Sequence, residues 1–183
     1  MSLTDYVAAF KDGDGGFVNK GGKGIKIGDV SSMSESGSVA MACHVATFLW
    51  LYRATHAGKF PGLDFLDYNA PQTFINKLLK LGHPSRVTSS TRPNAGDVLV
   101  FANADGSTIA QHSCVVLGNG KIAGYNQVDW LAGGIADTYT EHDADDINWV
   151  PRGCLFTPRR ADVGGKERYV WAVREATALG AMT

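Results

Sequence analysis

Residues 111–127 read QHSCVVLGNGKIAGYNQ. A Gly118-Asn119-Gly120-Lys121 tip between two apolar, β-branched runs is a hairpin signal. Further runs of the same kind lie on both sides: GDVLVFAN at 96–103, DINWV at 146–150 and RYVWAVR at 168–174. Each is short and bounded by turn residues, as strands are. The hairpin joins sequence neighbours antiparallel, so the second half of the chain predicts an antiparallel sheet.

The first half has a different period. Val45, Phe48, Leu49 and Tyr52 recur at 3–4 spacing and predict a helix from near Val39 to about Thr55, with Gly58 as its stop. Phe74, Ile75, Leu78 and Leu79 predict a second helix over 70–81, with Pro71 in its first turn and Gly82 at its end. LTDYVAAF at 3–10 reads as a short helix. The segment from 11 to 36 is dense in glycine and serine and reads as irregular. Within it, DGDGG at 12–16 suggests a calcium loop. The match fails, because Phe17 stands where the loop glycine belongs and Lys23 where the closing glutamate belongs. Residues 140–148, TEHDADDIN, read as a solvated acidic loop, 157–168 as a basic exposed turn and 175–183 as a fraying tail. Helices followed by an antiparallel sheet make an α+β fold. At 183 residues, one domain over 1–183 is the expectation.

A formal charge of −1 gives no electrostatic reason to expect nucleic acid. No apolar run reaches the roughly 18 residues of a membrane span. The opening residues lack the basic and apolar regions of a signal peptide, which implies a cytoplasmic protein as synthesised. Export without a cleavable signal stays compatible with that. Three cysteines, Cys43, Cys114 and Cys154, are too few and too scattered for a disulfide framework and fit a reducing compartment.

Cys43 begins the apolar helical run MACHVATFLW. The first N–H groups of a helix are unpaired and the macrodipole is positive there, so a thiolate is stabilised and an oxyanion can be received. A packed helical thiol is the bland alternative. A nucleophilic cysteine needs a base. His112 opens a predicted strand, and the returning strand carries Asn126 and Gln127 back near its level. A three-residue loop pairs His112 with Asn126, whereas a two-residue loop pairs it with Gln127. Either amide oxygen can fix the imidazole tautomer. His44 follows Cys43 directly. Adjacent helical side chains diverge by about 100°, which makes it a poor base. Cys114 shares a strand face with His112 and reads as core. Cys43-His44 with His112-x-Cys114 matches no common zinc spacing, so no metal or other cofactor is expected.

Taken in order, Cys43 at a helix start, PNAGDVLVF at 93–101, His112, Gly118-Asn119-Gly120 and Asn126 resemble the papain-like cysteine peptidase and amidase superfamily, closest to its NlpC-like and CHAP-like bacterial branches. The resemblance covers roughly residues 37–127 and leaves 128–183 uncovered. It departs from the NlpC-like pattern at Ala42 and His44, where that branch has Asp and Ser, and at the extra residue between Pro93 and Gly96. It implies a papain-like fold with N-terminal helices packed on an antiparallel sheet, and a triad of Cys43, His112 and Asn126. The implied activity is amide hydrolysis through an acyl-thioester, on peptidoglycan stems or cross-links. By analogy, such a small enzyme serves as an antibacterial effector or lysis factor, which implies an inhibitor or immunity protein as partner. The same triad also suits a protein deamidase or acyltransferase. A member of the fold that binds a glycan or protein without cleaving it is the non-enzymatic alternative.

Overall fold

A computed structural model describes residues 1–11, 17–19, 25–27, 43–59, 69–82, 93–103, 108–125, 139–144, 147–150, 155–158 and 168–183. In chain order these form α1 (Leu3–Lys11), β1 (Phe17–Asn19), β2 (Ile25–Ile27), α2 (Cys43–Thr55) and α3 (Asn69–Gly82). There follow β3 (Val98–Asn103), β4 (Ala110–Val116), β5 (Lys121–Tyr125), β6 (Tyr139–Asp143), β7 (Ile147–Val150), β8 (Leu155–Pro158), β9 (Arg168–Val173) and α4 (Glu175–Met182). The fold is α+β. Among the described residues, seven strands form one sheet in the order β6-β5-β4-β3-β9-β8-β7, and every described pairing in it is antiparallel. Among the described residues, no helix is long and apolar enough to cross a membrane.

The hairpin closes with a three-residue loop. Leu117 N–H donates to Lys121 O at 2.7 Å and Gly120 N–H to Leu117 O at 3.3 Å, and Gly120 adopts φ +76°. A left-handed last residue is what such a loop requires, and glycine takes it without steric cost. The register Val115↔Ala123 and Val116↔Ile122 is the one the three-residue loop dictates.

Alternation along the strands creates two apolar layers. Val98, Val100 and Ala102 of β3, Val115 of β4, Ala123 and Tyr125 of β5 and Val173 of β9 point one way. They meet Leu3 and Val7 of α1, Val45, Phe48, Leu49 and Trp50 of α2, Ile75 and Leu78 of α3 and Ala178 of α4. Leu99, Phe101, Cys114, Val116, Ile122, Val170 and Ala172 form the layer on the opposite face. Helix α2 sits at the centre, with α1, α3 and α4 beside it and β4 beneath. It stops where expected: Gly58 N–H donates to Arg53 O at 2.8 Å with Gly58 at φ +81°.

Four segments differ from the sequence expectation. The glycine-rich stretch carries β1 and β2, paired as Phe17↔Ile27 and Asn19↔Ile25. The acidic stretch at 140–148 is largely strand, because β6 pairs with β5 through Ile122↔His142 and Ala123↔Glu141. Its charges suit an edge strand, where they discourage further pairing. β8 begins the stretch read as a basic turn, and the tail is α4. The DGDGG stretch lies outside the described residues.

Gly96-Asp97 ties β3 to both α4 and β4. Asp97 is buried and accepts from Arg174 Nη1 at 2.5 Å and from Asn94 N–H at 2.8 Å, while Val116 N–H donates to Asp97 O at 2.9 Å. Gly96 has φ +86°, and a Cβ there would overlap the Glu175 carboxylate. That carboxylate accepts from Leu3 N–H at 3.1 Å and so holds α1. Gly96→Ala should therefore cost about 1–2 kcal/mol in backbone strain alone and also displace Glu175. Urea titration checks this: the midpoint should fall with the m-value unchanged, and an unmoved midpoint refutes the strain.

Candidate active site

Cys43 is the first residue of α2, and α2 lies on β4. The side chain that β4 sends toward it is that of Ser113. The Ser113 hydroxyl lies 3.0 Å from Thr47 Oγ1, 3.4 Å from the Cys43 carbonyl oxygen and 2.9 Å from His44 Nδ1. Ser113 and Thr47 are fully buried and His44 is nearly so. An apolar layer thus holds one polar cluster drawn from α2 and β4, and mutual hydrogen bonding is what makes such burial tolerable.

The tautomer of His44 follows from its neighbours. Nε2 faces the Ala110 carbonyl oxygen at 3.2 Å. A carbonyl oxygen only accepts, so Nε2 carries the proton and Nδ1 keeps its lone pair. The same carbonyl accepts from Gln72 Nε2 of α3 at 3.0 Å, and Ala110 N–H donates to Asn76 Oδ1 at 2.8 Å. Helix α3 therefore fixes the start of β4, and β4 fixes the ring. The ladder between β3 and β4 shifts here, with Phe101↔His112 followed by Ala102↔Ala110, so Gln111 is the extra residue. That bulge lets Ala110 turn toward α2 and α3.

Nδ1 of His44 lies 3.7 Å from Cys43 Sγ. The Nδ1 lone pair can accept from one donor at a time, the Cys43 S–H or the Ser113 hydroxyl. Burial pushes the His44 pKa down to about 4, against the opposing pull of the Ala110 carbonyl, so the ring is neutral at neutral pH. Burial also pushes the Cys43 thiol up to about 11, although the backbone N–H groups of Ser113, His44 and Cys43 act in the opposite sense. The helix start does favour the thiolate, as expected, but desolvation outweighs it.

His112 lies on the face of β4 opposite Ser113. Neighbouring strand residues point to opposite faces. With Ser113 turned toward α2, His112 is turned to the other layer. There it packs edge-on to Phe101, its cross-strand partner, with ring centroids 5.2 Å apart and planes at 62°. His112 is fully buried. The expected partner of Cys43, His112, thus faces the Phe101 layer, whereas the imidazole 3.7 Å from the thiol belongs to His44. Asn126 and Gln127 lie outside the described residues, as does Cys154. Cys114 is buried in the layer that holds Phe101, and burial raises its thiol well above the usual range. Among the described residues, no group of three or more His, Cys, Asp or Glu side chains could hold a metal ion.

Sequence reading missed His44, Ser113 and Thr47 as a unit. One signal was present: Thr47 stands four residues after Cys43, and so on the same face of an otherwise apolar helix. Comparison with protein-family models, curated proteins and solved structures gives no match to this chain, so the reading of the site rests on its own geometry.

Proposed function

We propose that this chain is a papain-like cysteine hydrolase of amide bonds, with Cys43 as its nucleophile and peptidoglycan peptides as its substrate class. The observation that carries the reading is a thiol at the first residue of a buried helix, 3.7 Å from an imidazole nitrogen that holds a lone pair. The helix-on-sheet arrangement and the match of Gly96-Asp97 and Gly118-Asn119-Gly120 to the superfamily pattern support it. In this mechanism an imidazole takes the thiol proton and sulfur attacks the carbonyl carbon. The leaving amine then takes that proton, and water releases the acyl group from sulfur. The first N–H groups of α2 receive the developing oxyanion.

Purified peptidoglycan incubated with the protein should release new amino or carboxyl termini. Cys43→Ala should reduce that release about a thousandfold or more. Release that survives in Cys43→Ala sinks the assignment of the nucleophile.

One observation favours a second reading. Cys43 is only 8% exposed, and its thiol is pushed up to about 11. In that reading the Cys43, His44, Thr47 and Ser113 cluster clamps α2 to β4, and the chain binds a glycan or protein without cleaving it. It requires that Cys43→Ala bind peptidoglycan as wild type does and that neither protein release any termini.

A further inference from the structure

We infer that His44 is the general base of Cys43, with Ser113 and the Ala110 carbonyl as the groups that position its ring. This rests on the cysteine-hydrolase reading and names the proton acceptor within it. Two adjacent helical residues serve as nucleophile and base only if both side chains turn to the same neighbour. Here that neighbour is β4. The bulge at Gln111 brings Ala110 O to within 3.2 Å of Nε2, and the alternation after it brings Ser113 Oγ to within 2.9 Å of Nδ1. The Ala110 carbonyl holds Nε2, and the single lone pair of Nδ1 has two neighbours, Ser113 Oγ and Cys43 Sγ at 3.7 Å.

The Ser113 hydroxyl has one proton and three acceptors within reach: His44 Nδ1, Thr47 Oγ1 and the Cys43 carbonyl. When it donates to Thr47 or to the carbonyl, the Nδ1 lone pair is left for the thiol. The S–H proton then passes to Nδ1 as the C–S bond forms, and the carbonyl π pair moves to oxygen. Collapse of that intermediate breaks the C–N bond, and the amine nitrogen takes the proton from Nδ1. Water adds to the thioester through the same nitrogen, and the C–S bond breaks to restore the thiol. His112, on the opposite face beside Phe101, takes no part in these steps.

The test is the rate of Cys43 acylation by p-nitrophenyl acetate, followed by cysteine-resolved mass spectrometry across pH. With His44 neutral above about 4 and the thiol intact below about 11, base-assisted acylation in wild type should be flat between about pH 6 and pH 9. In His44→Gln only the thiolate route remains. Its rate should climb about tenfold per pH unit and fall at least about 100-fold below wild type at pH 7. A wild-type break near the ~6.5 of an ordinary imidazole that persists in His44→Gln overturns the assignment. So does His112→Gln abolishing the flat region while His44→Gln keeps it. The wild-type profile decides even if His44→Gln fails to fold: a climb of tenfold per unit there also overturns the assignment. Absence of any acylation at Cys43 in wild type removes the hydrolase reading itself, a result distinct from acylation with the wrong pH profile.

Discussion

Trp50→Ala should lower stability by about 3–5 kcal/mol, the range for deleting a large buried aromatic ring. Trp50 is fully buried on α2, in the layer between sheet and helices. Its ring stands edge-on to Tyr139 of β6, with centroids 6.4 Å apart and planes at 83°. The indole therefore joins the central helix to the edge of the sheet, and neither side can collapse alone into the space it leaves. Against a typical net stability of about 5–15 kcal/mol, the loss is large enough to broaden or abolish the cooperative transition. Thermal and urea unfolding should show a sharp fall in midpoint. Trp50→Phe should recover part of it. Ile109→Ala, at a side chain 53% exposed, should stay within about 0.5 kcal/mol of wild type. A Trp50→Ala protein as stable as wild type would show that the α2–β6 contact carries no weight.

Acid should weaken the fold through His44. The unfolded imidazole titrates at its ordinary 6.5, and the folded one at about 4 because burial disfavours its charged form. Between these values the unfolded chain binds a proton that the folded chain does not, so stability falls as pH falls. The contribution is fully present above about pH 6.5 and is lost by about pH 4. Its size is about 3 kcal/mol, at about 1.4 kcal/mol per pH unit. Urea titrations at several pH values should show this slope, and His44→Gln should flatten it. An unchanged slope in His44→Gln would mean that other groups drive the acid transition. Cys43 acts at the alkaline end: its thiol is raised from 9.0 to about 11, so its contribution holds below about pH 9 and is lost as pH rises to about 11.

Much of the frame was legible because local signals and tertiary environment agree. The 3–4 spacing of Phe74, Ile75, Leu78 and Leu79 marks α3, and Ile75, Leu78 and Leu79 are buried as that stripe requires. The glycine tip of the hairpin was legible because only a few loop geometries close two strands. β6 was hidden because Glu141, His142 and Asp143 gain their strand from pairing with β5, not from their own propensity. α4 was hidden because EATALGAM has no apolar stripe. Its place comes from the Arg174–Asp97 ion pair at its start and the Glu175 bond to Leu3 N–H. At the candidate site, the position of Cys43 at a helix start was readable, as was the alternation that places His112 and Cys114 on one face. Which face meets α2 was not. Both faces of β4 are apolar enough to be buried, so the pattern specifies two sides without saying which is which.

The place of β3 in the sheet has a consequence for synthesis. Its neighbours are β4, a few residues on, and β9, where Phe101 pairs with Val170 and Val98 with Val173. The middle of the sheet therefore stays open along one edge until the ribosome has passed β9. During that interval β3 exposes unpaired backbone and the apolar residues of both layers, a surface prone to pairing with other chains. Closure across so long a loop is slow. A nascent chain halted before residue 168 should bind holdase chaperones, and release of the β9 segment should mark the moment it lets them go.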